Sequence, residues 1–126
     1  MNLTLQKIIK SREDISDYVF HFTKGSKAKN TLETIISNRA LKDVKGYGYI
    51  CFTEAPITML PSMFSIFRKY EEPMYAPYGI GINKNLFYKM GGRPVIYGDE
   101  NDRRIMPKEL LWRFVHLNPD TYDYSW

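Results

Sequence analysis

The sequence has a single cysteine, Cys51, and two histidines, His21 and His116. It can therefore form no internal disulfide, and it has no His/Cys cluster spaced like a structural zinc site. Apolar runs extend only a few residues, short of the ~20 that a membrane-spanning helix needs, and the N-terminus has no uninterrupted apolar stretch of the secretory kind. These absences make the cytoplasm the expected compartment and argue against a membrane partner. Internal repeats, low-complexity tracts and Pro-, Gly- or Ser-rich linkers are also missing. The 126 residues are accordingly expected to form one domain, 1–126.

Aromatic and apolar residues are abundant. Hydrophobic residues make up 44%, with ten Tyr, seven Phe and two Trp, which removes the chain from the weakly hydrophobic, highly charged profile of disordered segments. The net charge is +4, but its distribution is uneven. Residues 1–45 carry nine basic against five acidic side chains, whereas residues 46–126 carry nine of each. The densest part of the excess is Lys24, Lys27 and Lys29 around Gly25, a loop able to attract phosphates, although such a turn is as readily a solvated surface.

Periodicity divides the chain into short elements. Leu3, Leu5, Ile8 and Ile9 predict a short amphipathic helix. From Asp17 to Thr23, Tyr18, Phe20 and Phe22 alternate with Val19, His21 and Thr23, which predicts a strand whose aromatic side packs and whose other side offers polar atoms. Asn30 or Thr31 is a candidate cap for a helix carrying Leu32, Ile35, Ile36 and Leu41, with Gly46 and Gly48 as the turn beyond it. Tyr49–Thr53 predicts a second strand. Pro56 suits a helix start for the stripe Met59, Met63, Ile66 and Phe67, with Pro61 kinking or delaying it.

Further along, 75–82 predicts a strand broken by glycines. Asn83 caps a helix through Met90 that Gly91 and Gly92 stop, and Pro94–Tyr97 is another strand. Asp99–Arg104 is expected as a charged turn and Pro107 as the start of one helical turn. Trp112–Leu117 is expected as a last strand. The fold class that follows is α+β, a small mixed and largely antiparallel sheet with short helices. The closing series Tyr122, Tyr124, Trp126 has strand spacing, so the chain is expected to be cut inside a strand, with an aromatic surface that a protein partner would cover.

Candidate chemistry is spread over four motifs. His21 and Thr23 share one face of the first strand, about 7 Å apart by the strand rise, a spacing that can grip two parts of a polar ligand. A lone strand histidine is also commonly a satisfied core residue. Thr53 and Glu54 stand where a strand gives way to a loop, and either could bind a ligand or cap the helix expected at Pro56. Cys51, within an apolar strand, is expected to behave as a small buried hydrophobe instead of a nucleophile.

Tyr78, next to Gly79 and Gly81, could stack on a flat ring, although a bulge alone explains the glycines and no dinucleotide fingerprint of the Rossmann type is present. Arg93, after Gly91-Gly92, could bind phosphate or carboxylate, or pair with Asp99 or Glu100. There is no phosphate-binding loop with lysine, no helical zinc motif and no serine elbow.

Taken in order, Phe20-His21-Phe22-Thr23-Lys24-Gly25, Cys51-Phe52-Thr53-Glu54-Ala55-Pro56, Tyr78-Gly79-Ile80-Gly81 and Gly91-Gly92-Arg93-Pro94-Val95-Ile96-Tyr97 resemble the bacterial abortive-infection family that includes AbiGi-type proteins. The resemblance covers about residues 18–126. That family is in turn distantly similar to DarT-like ADP-ribosyltransferases, whose domain begins on a comparable His-aromatic-Thr strand. The resemblance implies an ADP-ribosyltransferase-like fold that binds NAD as substrate without a metal. It implies NAD contacts from His21 and Thr23, with Thr53, Glu54, Tyr78 and Arg93 completing the candidate set.

In related sequences the Tyr-Ser-Trp series is followed by a strand with a glutamate inside Glu-Trp-Arg, and this chain stops before it at Trp126. The catalytic residue is therefore left unassigned, Glu54 is not promoted to it, and a shortened, weak or inactive transferase of an antiphage or toxin system is expected. Two other readings stay open. One is a nucleic-acid-binding module using Lys24, Lys27, Lys29 and the tyrosines. The other is a non-catalytic interaction or regulatory protein.

Overall fold

The alternation at 17–23 does form a strand, but the face expected to present polar atoms is packed as well. The computed structural model describes residues 2–55, 58, 60–67, 75–117 and 119–120. Its elements in chain order are α1 (Leu3–Lys10), β1 (Tyr18–Phe22), α2 (Ala28–Asn38), α3 (Leu60–Phe67), β2 (Gly79–Asn83), α4 (Lys84–Lys89), β3 (Ile96–Gly98), α5 (Glu100–Ile105), a 3-10 helix (Lys108–Arg113) and β4 (Phe114–His116). This is a small α+β fold with short helices and a small antiparallel sheet.

β1 and β2 pair antiparallel, with Phe20 opposite Gly81 and Phe22 opposite Gly79. On that face Tyr18, Phe20 and Phe22 stack in a row, at centroid distances of 6.4 and 6.1 Å. The row is possible because the facing residues have no side chain. A Cβ at Gly81 would fall 2.9 Å from Phe20 Cε1, and one at Gly79 would fall 2.5 Å from the His21 carbonyl oxygen. Glycine, which weakens a strand by itself, is here covered by the aromatic ring opposite it. Phe22 then meets Phe64 of α3 edge-on at 5.1 Å. Both sides of β1 therefore pack, and the side expected to present polar atoms holds two buried residues, Val19 and Thr23.

The expected strand at Tyr49–Thr53 is reduced to one bridge, in which Phe20 and Thr53 exchange both backbone hydrogen bonds at 2.8 Å. β1 is thus flanked by β2 on one edge and by Thr53 on the other. The second pair, β3 with β4, is parallel, with Tyr97 opposite Val115. A parallel pair needs a crossover of a dozen residues or more, and α5 with the 3-10 helix supplies it.

Helix boundaries follow local chemistry where a side chain can cap. Asn83 caps α4 by accepting from the Asn85 N–H at 2.9 Å, and α4 ends at Met90 before Gly91, which has φ +100. α2 starts before the expected cap. Thr31 and Thr34 lie inside it, bonding back to the carbonyls of Lys27 and Asn30, and its first residue, Ala28, is fixed because its carbonyl accepts from the buried Thr23 hydroxyl at 2.9 Å. Leu41 falls outside the helix.

Pro61 occupies the second position of α3, where no backbone donor is required. The Ile66 of its stripe is exposed, and so are all four apolar residues of α1. The stretch 99–104, expected as a turn, is helical because Asp99 and Asp102 form a capping box, each side chain accepting from the other's backbone N–H, at 3.0 and 2.9 Å. Pro56, Met59 and the series Tyr122, Tyr124, Trp126 lie outside the described residues.

Two predictions follow from these contacts. Gly79→Ala and Gly81→Ala should both destabilise, by ~1–3 kcal/mol for overpacking, and Gly79→Ala should cost more. Its new methyl meets a backbone carbonyl that cannot turn aside, whereas the Phe20 ring can; urea midpoints of the two variants check the order.

The second concerns acid. The Asp99 carboxyl is held below the ordinary carboxylate range, first by the Asp102 backbone N–H. A group whose folded pKa is depressed adds stability above its unfolded pKa and loses it as pH falls through the folded one. Unfolding midpoints of wild type and Asp99→Ala should therefore differ at neutral pH and converge in strong acid.

Candidate functional site

The segment around Thr53, helix α4, the stretch 92–95 that follows it and the residues 112–115 leading into β4 line a cleft of about 400 Å³. Its lining is largely apolar and aromatic, including Val19, Tyr49, Phe52, Phe87, Trp112 and Phe114. The volume and this lining are those of a small-molecule site. Four charged residues stand among them: Glu54, Lys84, Arg93 and Arg113.

The charges are held by identifiable contacts. Glu54 Oε2 lies 3.1 Å from Lys84 Nζ, so the loop after Thr53 is tied to the first residue of α4. Both groups are partly solvated, and such a pair stabilises by only ~0–1 kcal/mol; its effect here is to orient the carboxylate. Arg93 follows the glycines that end α4. Its Nη1 donates to the carbonyls of Tyr88 and Gly92, at 2.9 and 2.7 Å, and its guanidinium lies 3.9 Å from the Tyr88 ring centroid. Arg93 is thus bound to backbone and stacked on an aromatic face, not paired with Asp99 or Glu100; Glu100 pairs with Arg103 instead.

Arg113 donates from Nε to the Pro94 carbonyl at 2.9 Å. Each guanidinium is oriented by one nitrogen and has others with which to meet a ligand. With Glu54 neutralising Lys84, the two arginines leave the cleft electropositive, a setting for an anion with two charges.

The sequence-derived candidates separate. Glu54 and Arg93 line the cleft. Thr23 and Thr53 do not, being only 4% and 2% exposed. Thr23 Oγ1 lies within donating distance of the carbonyls of Ala28 (2.9 Å) and Tyr78 (2.8 Å), and Thr53 Oγ1 accepts from the Ala55 N–H at 3.3 Å. The Thr23 hydroxyl joins α2 to the residue before β2, and the Thr53 hydroxyl braces the loop that follows it, so neither lines the cleft.

His21 stands behind the wall: its Nδ1 is 2.8 Å from the Cys51 carbonyl, to which it can only donate, and its ring lies 5.5 Å from that of Phe52. Tyr78 is exposed outside the cleft, and its carbonyl takes the Thr23 N–H. Cys51 lines the cleft and is exposed, contrary to the buried role expected of it. Local desolvation pushes its thiol up against the pull of Lys24, which leaves it protonated at neutral pH and a poor nucleophile. Lys24, Lys27 and Lys29 are all exposed.

Sequence reasoning missed Tyr49, Lys84, Trp112 and Arg113 as site residues. The adjacent pair Trp112-Arg113 carried a usable signal, a flat ring beside a planar cation, but it was absorbed into the alternation of an expected strand. Among the described residues no group of His, Cys, Asp and Glu is placed to hold a metal ion. Nor is any helix among them long and apolar enough to cross a membrane.

The buried hydroxyl gives a test that separates support from binding. Thr23→Val keeps the shape and removes the donor to two inward carbonyls, so it should destabilise by ~1–3 kcal/mol while leaving ligand affinity of the folded protein unchanged. Thermal unfolding together with a ligand titration checks both halves. No protein-family profile, curated protein or solved structure matches this chain.

Proposed function

We propose that this chain is a nucleotide-binding domain of the ADP-ribosyltransferase-like kind, with NAD as its ligand, acting in the cytoplasm as part of a bacterial antiphage-defence or toxin system. The motif series from His21 to Tyr97, similar to abortive-infection proteins, supports the family reading. The observation that carries the binding reading is the electropositive aromatic cleft. Arg93 and Arg113 suit a pyrophosphate, and Tyr49 and Trp112 are exposed rings suited to flat heterocycles.

Of the six residues expected to contact NAD, Glu54 and Arg93 line the cleft, and Tyr49, Trp112 and Arg113 join them there; His21, Thr23, Thr53 and Tyr78 are not part of the proposed contact set. Glu54 is the only carboxylate on the cleft wall among the described residues, and its pairing with Lys84 favours holding a hydroxyl over stabilising a developing cation. The transfer activity expected of this chain is therefore weak or nil, and binding is the function proposed.

A titration followed by thermal unfolding tests it. NAD at a hundred times its dissociation constant should stabilise the protein by ~2.7 kcal/mol. Arg93→Gln should weaken NAD binding by ~1.5–3 kcal/mol, the usual range for a hydrogen bond to a charged group, and so remove about half or more of that stabilisation at the same NAD concentration. No shift at millimolar NAD overturns the reading.

One observation favours nucleic acid as the alternative. The loop after α2 displays Tyr47 and Tyr49 stacked at 5.9 Å, with Lys45 Nζ 6.0 Å from the Tyr47 ring centroid. Asp43 closes this loop by accepting from the backbone N–H groups of Tyr47 and Gly48. Paired exposed rings beside lysine are a stacking platform for bases. Salt-sensitive oligonucleotide binding without any NAD response would select this reading.

A further inference from the structure

Behind the cleft wall lies a second cavity that the nucleotide reading does not use. Phe52 and Phe87, edge to face at 4.7 Å, belong to both linings and so form the partition between them. The second cavity has a volume of about 550 Å³, within the range of small-molecule sites. α2 contributes Ile35 and Ile36, β2 contributes Ile80 and Ile82, and Met90 at the end of α4 is also in the lining. One lining residue is charged, Arg39.

Arg39 sits at the end of α2 with φ 50 and ψ 35, the left-handed position that glycine usually takes, and its backbone N–H is spent on the carbonyls of Ile35 and Ile36. A bulky residue held there is disfavoured by the backbone, yet it places a guanidinium on an otherwise apolar groove. Among the described residues Arg39 has no ion-pair partner. At the rim, Ile36 and Met90 are 62% and 68% exposed.

We propose that this cavity binds a single-chain carboxylate amphiphile of the fatty-acid class, its hydrocarbon against Ile35, Ile80 and Ile82 and its head on Arg39. The chemistry is complementary at both ends. Apolar walls reward each buried methylene with about fourfold in affinity, and the guanidinium fork matches a carboxylate in two parallel hydrogen bonds. A phosphodinucleotide suits neither wall, and a cationic amphiphile would place its head beside a like charge.

Calorimetric titration below the micellar concentration tests this with dodecanoate, dodecanol and dodecyltrimethylammonium as probes. Dodecanoate should bind at one site at least tenfold more tightly than dodecanol, with the ammonium probe weakest. Arg39→Gln should remove the advantage of dodecanoate over dodecanol. Ala40→Trp, which fills the groove from an exposed lining position, should abolish binding of both. Both variants should keep the wild-type unfolding midpoint, which shows that they fold.

Equal affinity for the three probes, an Arg39→Gln variant that still prefers dodecanoate, or unimpaired binding by Ala40→Trp would each overturn the assignment. Arg39 and Ala40 do not line the cleft, so the NAD response of these variants should equal that of wild type. Failure here is therefore distinguishable from failure of the nucleotide reading.

Discussion

Rings seated over glycines are the constraint on which the rest of this structure depends. Phe20 lies over Gly81, Phe22 over Gly79, and Phe87 over Gly92, where any side chain would overlap the ring. The first two fix the register of β1 against β2, because a shift by one residue would turn every ring to the other side. That register places Val19 on the cleft, brings the bridge at Thr53 to the opposite edge of β1, and so delivers Glu54 to Lys84. The third seat sets Phe87 against Phe52 and thereby divides one space from the other. Few apolar residues are buried, Val19, Ala28, Leu60 and Ala76 among the described residues. Aromatic contacts across the sheet therefore carry much of the packing that a thicker aliphatic core supplies elsewhere.

Charge in this molecule acts by position more than by total. The basic excess belongs to the first third of the sequence, and its densest group around Gly25 is spread on an exposed loop. The cleft draws Lys84, Arg93 and Arg113 from the part of the chain whose charges sum to zero. Three of that part's nine acids are engaged away from the cleft, Asp99 and Asp102 capping α5 and Glu100 pairing with Arg103, while Glu54 offsets Lys84 within it. A segment of zero net charge thus contributes three cations and one carboxylate to the lining of the cleft.

Much of the local structure was legible in the residues. The alternation around Phe20, the Asn83 cap and the glycine stop after Met90 each rest on short-range chemistry, and each element lies where that chemistry puts it. What escaped was set by partners distant in sequence. The start of α2 answers to the Thr23 hydroxyl, and the strand expected at Tyr49–Thr53 shrank to one bridge because only Phe20 pairs with it.

The glycines of β2 were explicable by a bulge alone, whereas they seat the chain's own rings, a fact that only the cross-strand register reveals. The same limit governed the candidate site. Glu54 and Arg93 were found because they stand beside loop signals, while Trp112 and Arg113 join them through a parallel pairing that no local pattern encodes.

The pairing of β1 with β2 also has a kinetic side. Its partners, from Tyr18 with Asn83 to Phe22 with Gly79, are roughly 60 residues apart, and closing so large a loop is entropically costly before any contact rewards it. During synthesis the first strand leaves the ribosome well before its mate exists. For that interval three adjacent aromatic rings have nothing to cover, and the nascent chain is at its most vulnerable to association with others.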